Sequence, residues 1–358
     1  MPNPVLLNGL RWAFKLWVGV RPEPVHAADS FVPSQAGRVL LVCTTALGDT
    51  LLSTPAIRAV RSACPKACIS VLASPAAREV LRFSPRIDEL IPHRGKVDLR
   101  SLLTLPRLVR LLRRQRFDLA IVLHANDPDI APLTYMSGAP YRMGWRESRL
   151  GFLFTHPVAT KNRREHIVDI RLHNLQALGI EPQGRELEYF VQPAERARVD
   201  SLLREQGLAE RPLVGIHPFG SSRRRWWPLA YVEALARRLR KDHGAQAILF
   251  GGPKEREAAE SIPAGPHLVS MVGRLSIRES AALISRCALF VSTDSGPMHL
   301  SQAVNVPTIA LCGPADPIEI GPVSVNSRCI YKGNDAANME EIHVGDVMEV
   351  AGQMAVLQ

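Results

Sequence analysis

The sequence has no run of about 18 apolar residues, the length a membrane-crossing helix needs, so the chain is expected not to span a bilayer. It also lacks CxxC pairs, an HExxH signature and a GxxxxGKS or GxxxxGKT loop, which removes the common patterns for zinc and for P-loop nucleotide binding. Aromatic residues make up only 6% of it, with no RNP-like aromatic stretch, zinc-finger spacing or long basic helix, so nucleic acid is not an expected partner. The net charge of +10 is read instead as suited to an anionic small molecule or an acidic membrane surface. The six cysteines are Cys43, Cys64, Cys68, Cys287, Cys312 and Cys329. Several fall in or beside apolar runs, and all are read as free thiols of a reducing compartment.

What is present is apolar content of 46% in 358 residues, enough for two domains with a core each. Short apolar runs alternate with segments of helical spacing. RVLLVC, CISVLA, ELIPH and DLAIVLH lie in the first half, with helices expected over TLLSTPAIRAVRSA, from Pro75 and near LLTLPRLVRLLRRQ. LVGIHP, AQAILFGG, HLVSMVG, LFVSTD and TIALCG repeat the pattern in the second half, between helices beginning near Leu229, Arg256 and Ile277. This alternation predicts an α/β chain of two Rossmann-like domains with parallel sheets facing a central cleft. The expected division is an amphipathic prefix (1–35), an N-terminal domain (36–180), a linker (181–212), a C-terminal domain (213–335) and a C-terminal helix (336–358) packing back on the N-terminal domain.

Ligands of such sheets bind beyond the carboxyl ends of the strands. Two loops there are suited to an anion. In ALFVSTDSGPMHL (288–300), an apolar strand stops at Asp294-Ser295-Gly296 and a helix carrying His299 follows, so backbone amides at a helix start would favour the phosphates of a nucleotide. Asp294 or Ser295 acting simply as a helix cap is the competing reading. In HPFGSSRRRWWP (217–228), His217, Ser221 and Ser222 supply small donors, and Arg223, Arg224 and Arg225 supply charge for a leaving diphosphate. The same arginines read equally as a solvated face.

At this point the chain resembles glycosyltransferase family 9, the ADP-heptose:lipopolysaccharide heptosyltransferases. Three blocks in order carry the likeness: RVLLVCTTALGDTLLSTPAIRAVR, HPFGSSRRRWWPLAYVEALA, and the segment from Gly273 to Pro317 with its Asp-Ser-Gly-Pro-Met-His run. The resemblance implies the GT-B fold, with the nucleotide sugar held by the C-terminal half and the acceptor by the N-terminal half. It implies Asp49 as the catalytic base, with Thr45, Gly48 and Thr50 on the acceptor side. Spacing alone leaves Asp49 equally a helix cap. It places Arg225 near the family's phosphate-binding lysine, but Phe219 interrupts the family's His-Pro-Gly sequence, so Arg223 or Arg224 stays open as the phosphate ligand. Glu255 matches an acid expected near the ribose hydroxyls, or is a first-turn acid favoured by the helix dipole. His299 is read as donating to a phosphate when protonated or through one ring N–H, with a structural histidine as the alternative. Gly313 and Pro314 are expected to shape the adjoining loop.

The function implied is inverting transfer of a heptose or related sugar from an ADP-sugar to a lipopolysaccharide core or similar glycan. No cofactor and no metal are expected beyond the nucleotide sugar as co-substrate. The expected location is cytoplasmic, at the inner face of the cytoplasmic membrane. Residues 4–20, with Trp12, Phe14 and Trp17 among Arg11 and Lys15, suit a helix in a lipid headgroup layer or one docked on the protein itself. Two weaker metal candidates are His166, Asp169 and His173 on one helical face, and Asp127-Pro128-Asp129. The alternatives kept are another nucleotide sugar in the same family, a nucleotide-sugar epimerase and a non-catalytic carbohydrate-binding protein.

Overall fold

A computed structural model describes residues 31–94, 99–124, 130–148, 150–159, 164–263, 265–313, 316–333 and 339–356. The prefix at 4–20, the Asp127-Pro128-Asp129 triplet and Pro314 lie outside them. Among the described residues no helix is long and apolar enough to cross a membrane.

The first half builds a six-stranded parallel sheet in the order β3-β2-β1-β4-β5-β6. Its strands are β1 (Arg38–Cys43), β2 (Cys68–Ala73), β3 (Glu89–Pro92), β4 (Leu119–Val122), β5 (Tyr141–Trp145) and β6 (His156–Val158). The second half builds another of six strands, ordered β12-β11-β10-β7-β8-β9. These are β7 (Leu213–His217), β8 (Gln246–Leu249), β9 (Leu268–Ser270), β10 (Leu289–Thr293), β11 (Thr308–Cys312) and β12 (Ser327–Tyr331). Read from its own first strand, the second sheet repeats the order of the first. Central strands are apolar on both faces because helices cover both: Val39 to Cys43 are all buried, as are Leu289 to Thr293. Each such Leu, Ile or Val taken from water contributes about 1.5–3 kcal/mol.

The segment TLLSTPAIRAVRSA forms two helices instead of one, α1 (Leu47–Leu51) and α2 (Thr54–Ala63). Pro55 is the cause: it has no N–H to donate, and its ring conflicts with the carbonyl four residues back. That carbonyl, on Leu51, accepts from Thr54 Oγ1 at 2.7 Å. The break leaves α1 as a single short turn at the end of β1.

Further helices follow the expected alternation: α3 (Pro75–Leu81), α4 (Leu99–Gln115), α5 (Ile130–Met136), α6 (Ile167–Gln176), α7 (Pro193–Glu205), α8 (Leu229–His243), α9 (Arg256–Glu260), α10 (Ile277–Ile284), α11 (Gly296–Ala303), α12 (Pro317–Ile320) and α13 (Val344–Met354). The stretch 181–212 is more than a connector. It contains α7, and Leu187, Tyr189, Val199, Leu203 and Leu208 are buried in one cluster with residues of both halves, including Ile57, Phe290 and Leu300. The C-terminal helix, expected to return to the N-terminal half, has its main contacts among the described residues in the second half. α13 packs on α8, β11 and β12, because its apolar face of Val347, Met348 and Ala351 completes the second half's core.

Candidate active site

The loops that carry the sequence motifs leave neighbouring central strands at the point where strand order reverses, β1 in one sheet and the pair β7 and β10 in the other. After β7, His217 leads into a turn that places Gly220 against Arg225; a Cβ on Gly220 would stand 2.7 Å from the Arg225 Cβ, so only glycine fits. A short 3-10 turn over Arg223–Arg225 then separates the three guanidinium groups. Arg223 lies over the Trp226 ring at 4.0 Å, Arg224 is exposed, and Arg225 turns inward to pair with Asp294. Arg225 also donates to Ser221 Oγ at 3.4 Å, while the Ser222 carbonyl accepts from the Arg225 N–H at 3.0 Å.

The aromatic residues explain this register. Trp227 is fully buried with its indole N–H on the Ile342 carbonyl at 2.8 Å, and Trp226 donates to the Gly220 carbonyl at 3.0 Å. Phe219, which interrupts the expected motif, is a buried wedge set edge-on to Trp226. With both tryptophans anchored, Arg225 is the arginine that faces Asp294.

Asp294 is 7% exposed, and burial pushes its carboxyl up from the ordinary value while Arg225 opposes that shift. Ser295 follows as the N-cap residue of α11, but its hydroxyl makes no cap bond; it contacts the Thr293 carbonyl at 3.1 Å and His217 Nδ1 at 3.2 Å. The first turn of α11 is therefore not closed by its own cap, which leaves its amide end available to an anion. His217 is pushed down to about 4 and His299 to about 3, in both cases chiefly by burial. In the ligand-free protein the His299 ring is therefore neutral near pH 7 and offers one ring N–H. Its Nδ1 has no hydrogen-bond partner among the described residues.

On the opposite side, Asp49 lies in the first turn of α1 and is half exposed. It makes no cap bond. Its Oδ2 accepts from Thr45 Oγ1 at 3.1 Å, and its Oδ1 stands 3.6 Å from Arg171 Nη2. Thr50, expected on the acceptor side, is fully buried: the α1 turn points it inward, with its hydroxyl on the Ala46 carbonyl at 2.8 Å. Gly48 marks where the halves meet, since a Cβ there would be 3.1 Å from His299 Cδ2 and 3.5 Å from Gly296 Cα. Reciprocally, a Cβ on Gly296 would be 3.0 Å from Leu47 Cδ2. The acidic loop and the amide-rich helix start thus confront each other directly.

Other candidates have local work. Glu255 Oε2 accepts from the Gly252 N–H at 2.8 Å, closing the turn after β8. His166 caps α6, accepting from the Val168 N–H on Nδ1 and so donating to the Gly321 carbonyl from Nε2 at 3.0 Å. Asp169 pairs with Arg185 and His173 with Glu165, so the three do not converge, and no group of three potential metal ligands occurs among the described residues. Sequence reading missed Arg171. The signal was there: a single arginine between Ile170 and Leu172, on the buried side of its helix.

Comparison with known proteins bears on the family and the fold. The model of glycosyltransferase family 9 (heptosyltransferase) matches residues 105–350. The lipopolysaccharide heptosyltransferase 2 of Escherichia coli (strain K12) is 29% identical over 311 residues, 82% of this chain and 87% of that one. The lipooligosaccharide heptosyltransferase 2 of Haemophilus influenzae is 28% identical over 308 residues, covering 82% and 88%. Among solved structures, the E. coli ADP-heptose lipopolysaccharide heptosyltransferase II superposes with a TM-score of 0.74 at 26% identity, over 88% of this chain and 98% of that one. The family 9 glycosyl transferase of Veillonella parvula shares the fold with a TM-score of 0.79 at 23% identity, covering 89% and 97%. The two facing parallel sheets are the GT-B arrangement, and the chain belongs to glycosyltransferase family 9.

Proposed function

We propose that this enzyme is an inverting heptosyltransferase that moves the sugar of ADP-L-glycero-β-D-manno-heptose onto an acceptor in the inner core of lipopolysaccharide. The observation that carries this reading is the direct opposition of the Asp49 turn and the start of α11, marked by the Gly48 approach to His299. The acceptor half is taken as residues 36–180 and the donor half as 213–335. Asp49 takes the proton of the acceptor hydroxyl. The oxygen then attacks the anomeric carbon from the face opposite the leaving group, the bond from that carbon to the phosphate oxygen breaks, and ADP departs. Its growing charge meets the α11 amides, Ser295, the His299 ring N–H and the Arg225 guanidinium. Closure of the halves excludes water and so limits loss of donor to hydrolysis.

Support comes from the relatives, which are heptosyltransferases by name, and from the ADP-heptose enzyme at 26% identity. On this reading the acceptor is lipid-borne, and the enzyme would meet it at the inner face of the cytoplasmic membrane. Purified protein incubated with ADP-heptose and a panel of UDP, GDP and other ADP sugars tests the donor. Turnover with ADP-heptose and a core acceptor is expected. Binding of a UDP or GDP sugar with no response to ADP-heptose contradicts the assignment, and conversion of donor without acceptor would mark an epimerase instead.

A further inference from the structure

Arg171 on α6 has a side chain only 4% exposed. Removing a guanidinium from water costs several kcal/mol unless partners compensate it, and replacing such a buried ion by an apolar side chain is often neutral or stabilising. Packing alone therefore does not account for an arginine flanked by Ile170 and Leu172. Among the described residues both its partners belong to one residue: Nη1 donates to the Asp49 main-chain carbonyl at 3.0 Å, and Nη2 stands 3.6 Å from Asp49 Oδ1. Nε has no partner among the described residues. Burial lowers the guanidinium from its ordinary value and Asp49 opposes that shift, so the carboxylate is its principal counter-charge.

The consequence for Asp49 is geometric. The Thr45 hydroxyl holds one carboxylate oxygen and Arg171 faces the other, while the second arm of the same guanidinium fixes the backbone of the turn that carries it. A half-exposed carboxylate would otherwise rotate freely about its side-chain bonds. We infer that Arg171 is a positioning residue for Asp49, a buried clamp that aims the carboxylate at the space before α11 without touching substrate. This rests on the reading of Asp49 as the base.

The test uses Arg171→Met and Arg171→Lys, each in the native and the Asp49→Asn background, with kcat and KM measured for donor and acceptor. Misplacing a catalytic group by about 1 Å costs on the order of 100-fold, so Arg171→Met is expected to lower kcat by about 30- to 100-fold with the donor KM moved by less than about threefold. Lysine keeps the charge but cannot reach both the carbonyl and the carboxylate, so Arg171→Lys should recover part of the rate and not all of it. In the Asp49→Asn background the further loss from Arg171→Met should shrink to about threefold or less, because the clamp has no carboxylate to aim. Equal losses in both backgrounds, or a change confined to donor KM, would overturn the inference. Should Arg171→Met fail to fold, Arg171→Lys decides, and a full native kcat in that variant overturns it. Failure of the base reading has a separate signature: Asp49→Asn alone keeping its rate, whatever Arg171 does.

Discussion

Replacing Arg225 by methionine leaves Asp294 buried without its guanidinium. Breaking a buried pair by deleting one partner costs about 3–5 kcal/mol, and the lower end applies because Arg225 is 28% exposed and water can partly replace it. The sign of the pH dependence follows from the direction of the shift. The folded-state pKa of Asp294 lies above its unfolded value, so the folded protein binds that proton more readily, and stability falls as pH rises through the folded value. Without Arg225 the folded value rises further. The variant should therefore be about 3 kcal/mol less stable than the native protein near pH 7.5, with the gap narrowing as the solution is acidified toward pH 5. Urea unfolding of the ligand-free protein at both pH values reads this directly. Adding Asp294→Asn should recover most of the loss. Arg223→Ala serves as the comparison, since it removes only stacking on Trp226, about 0.5–1 kcal/mol at either pH. An Arg225→Met gap that is the same at pH 5 and 7.5, or a double variant no more stable than the single, would mean that Arg225 does not compensate a buried Asp294 charge.

Two further outcomes follow from the same geometry. Gly48→Val drives a side chain into the His299 ring, 3.1 Å from the first added carbon, and should cost about 1–3 kcal/mol in stability and lower turnover by separating the two loops; native turnover and melting temperature in this variant would contradict the close approach. His217 and His299 have folded-state values pushed down to about 4 and about 3, so the stability they contribute is complete above about pH 6.5 and is lost as pH falls through that range. Unfolding midpoints measured from pH 7 down to pH 4 should decline, and His299→Gln should flatten the slope; an unchanged slope would place the acid sensitivity elsewhere.

Most of the architecture was legible because central parallel strands are buried on both faces and so read as unbroken apolar runs, as in RVLLVC and LFVST. The strands that escaped, β5, β6 and β12, are edge or near-edge elements with residues such as Arg142, Pro157 and Arg328, whose mixed composition imitates a loop. The helix break at Ser53 was written in Pro55, but apolar spacing through the whole segment masked it. Of the site, the motif loops could be found because glycine, serine and aspartate after an apolar run mark strand ends. The choice among Arg223, Arg224 and Arg225 could not, since it depends on how Trp226 and Trp227 anchor the turn from outside it. Arg171 was hidden for a related reason: its partner is 122 positions away in the chain.

The measurement that bears most directly on the account is the turnover and donor affinity of Asp49→Asn. Asparagine keeps the shape of the side chain and can still accept from Thr45, but it cannot take a proton from the acceptor hydroxyl. Loss of at least about 100-fold in kcat is expected, with ADP binding, read by calorimetry, unchanged within about twofold. An Asp49→Asn enzyme that retains most of its rate, or one that loses rate only through weaker donor binding, contradicts the role of Asp49 as the base.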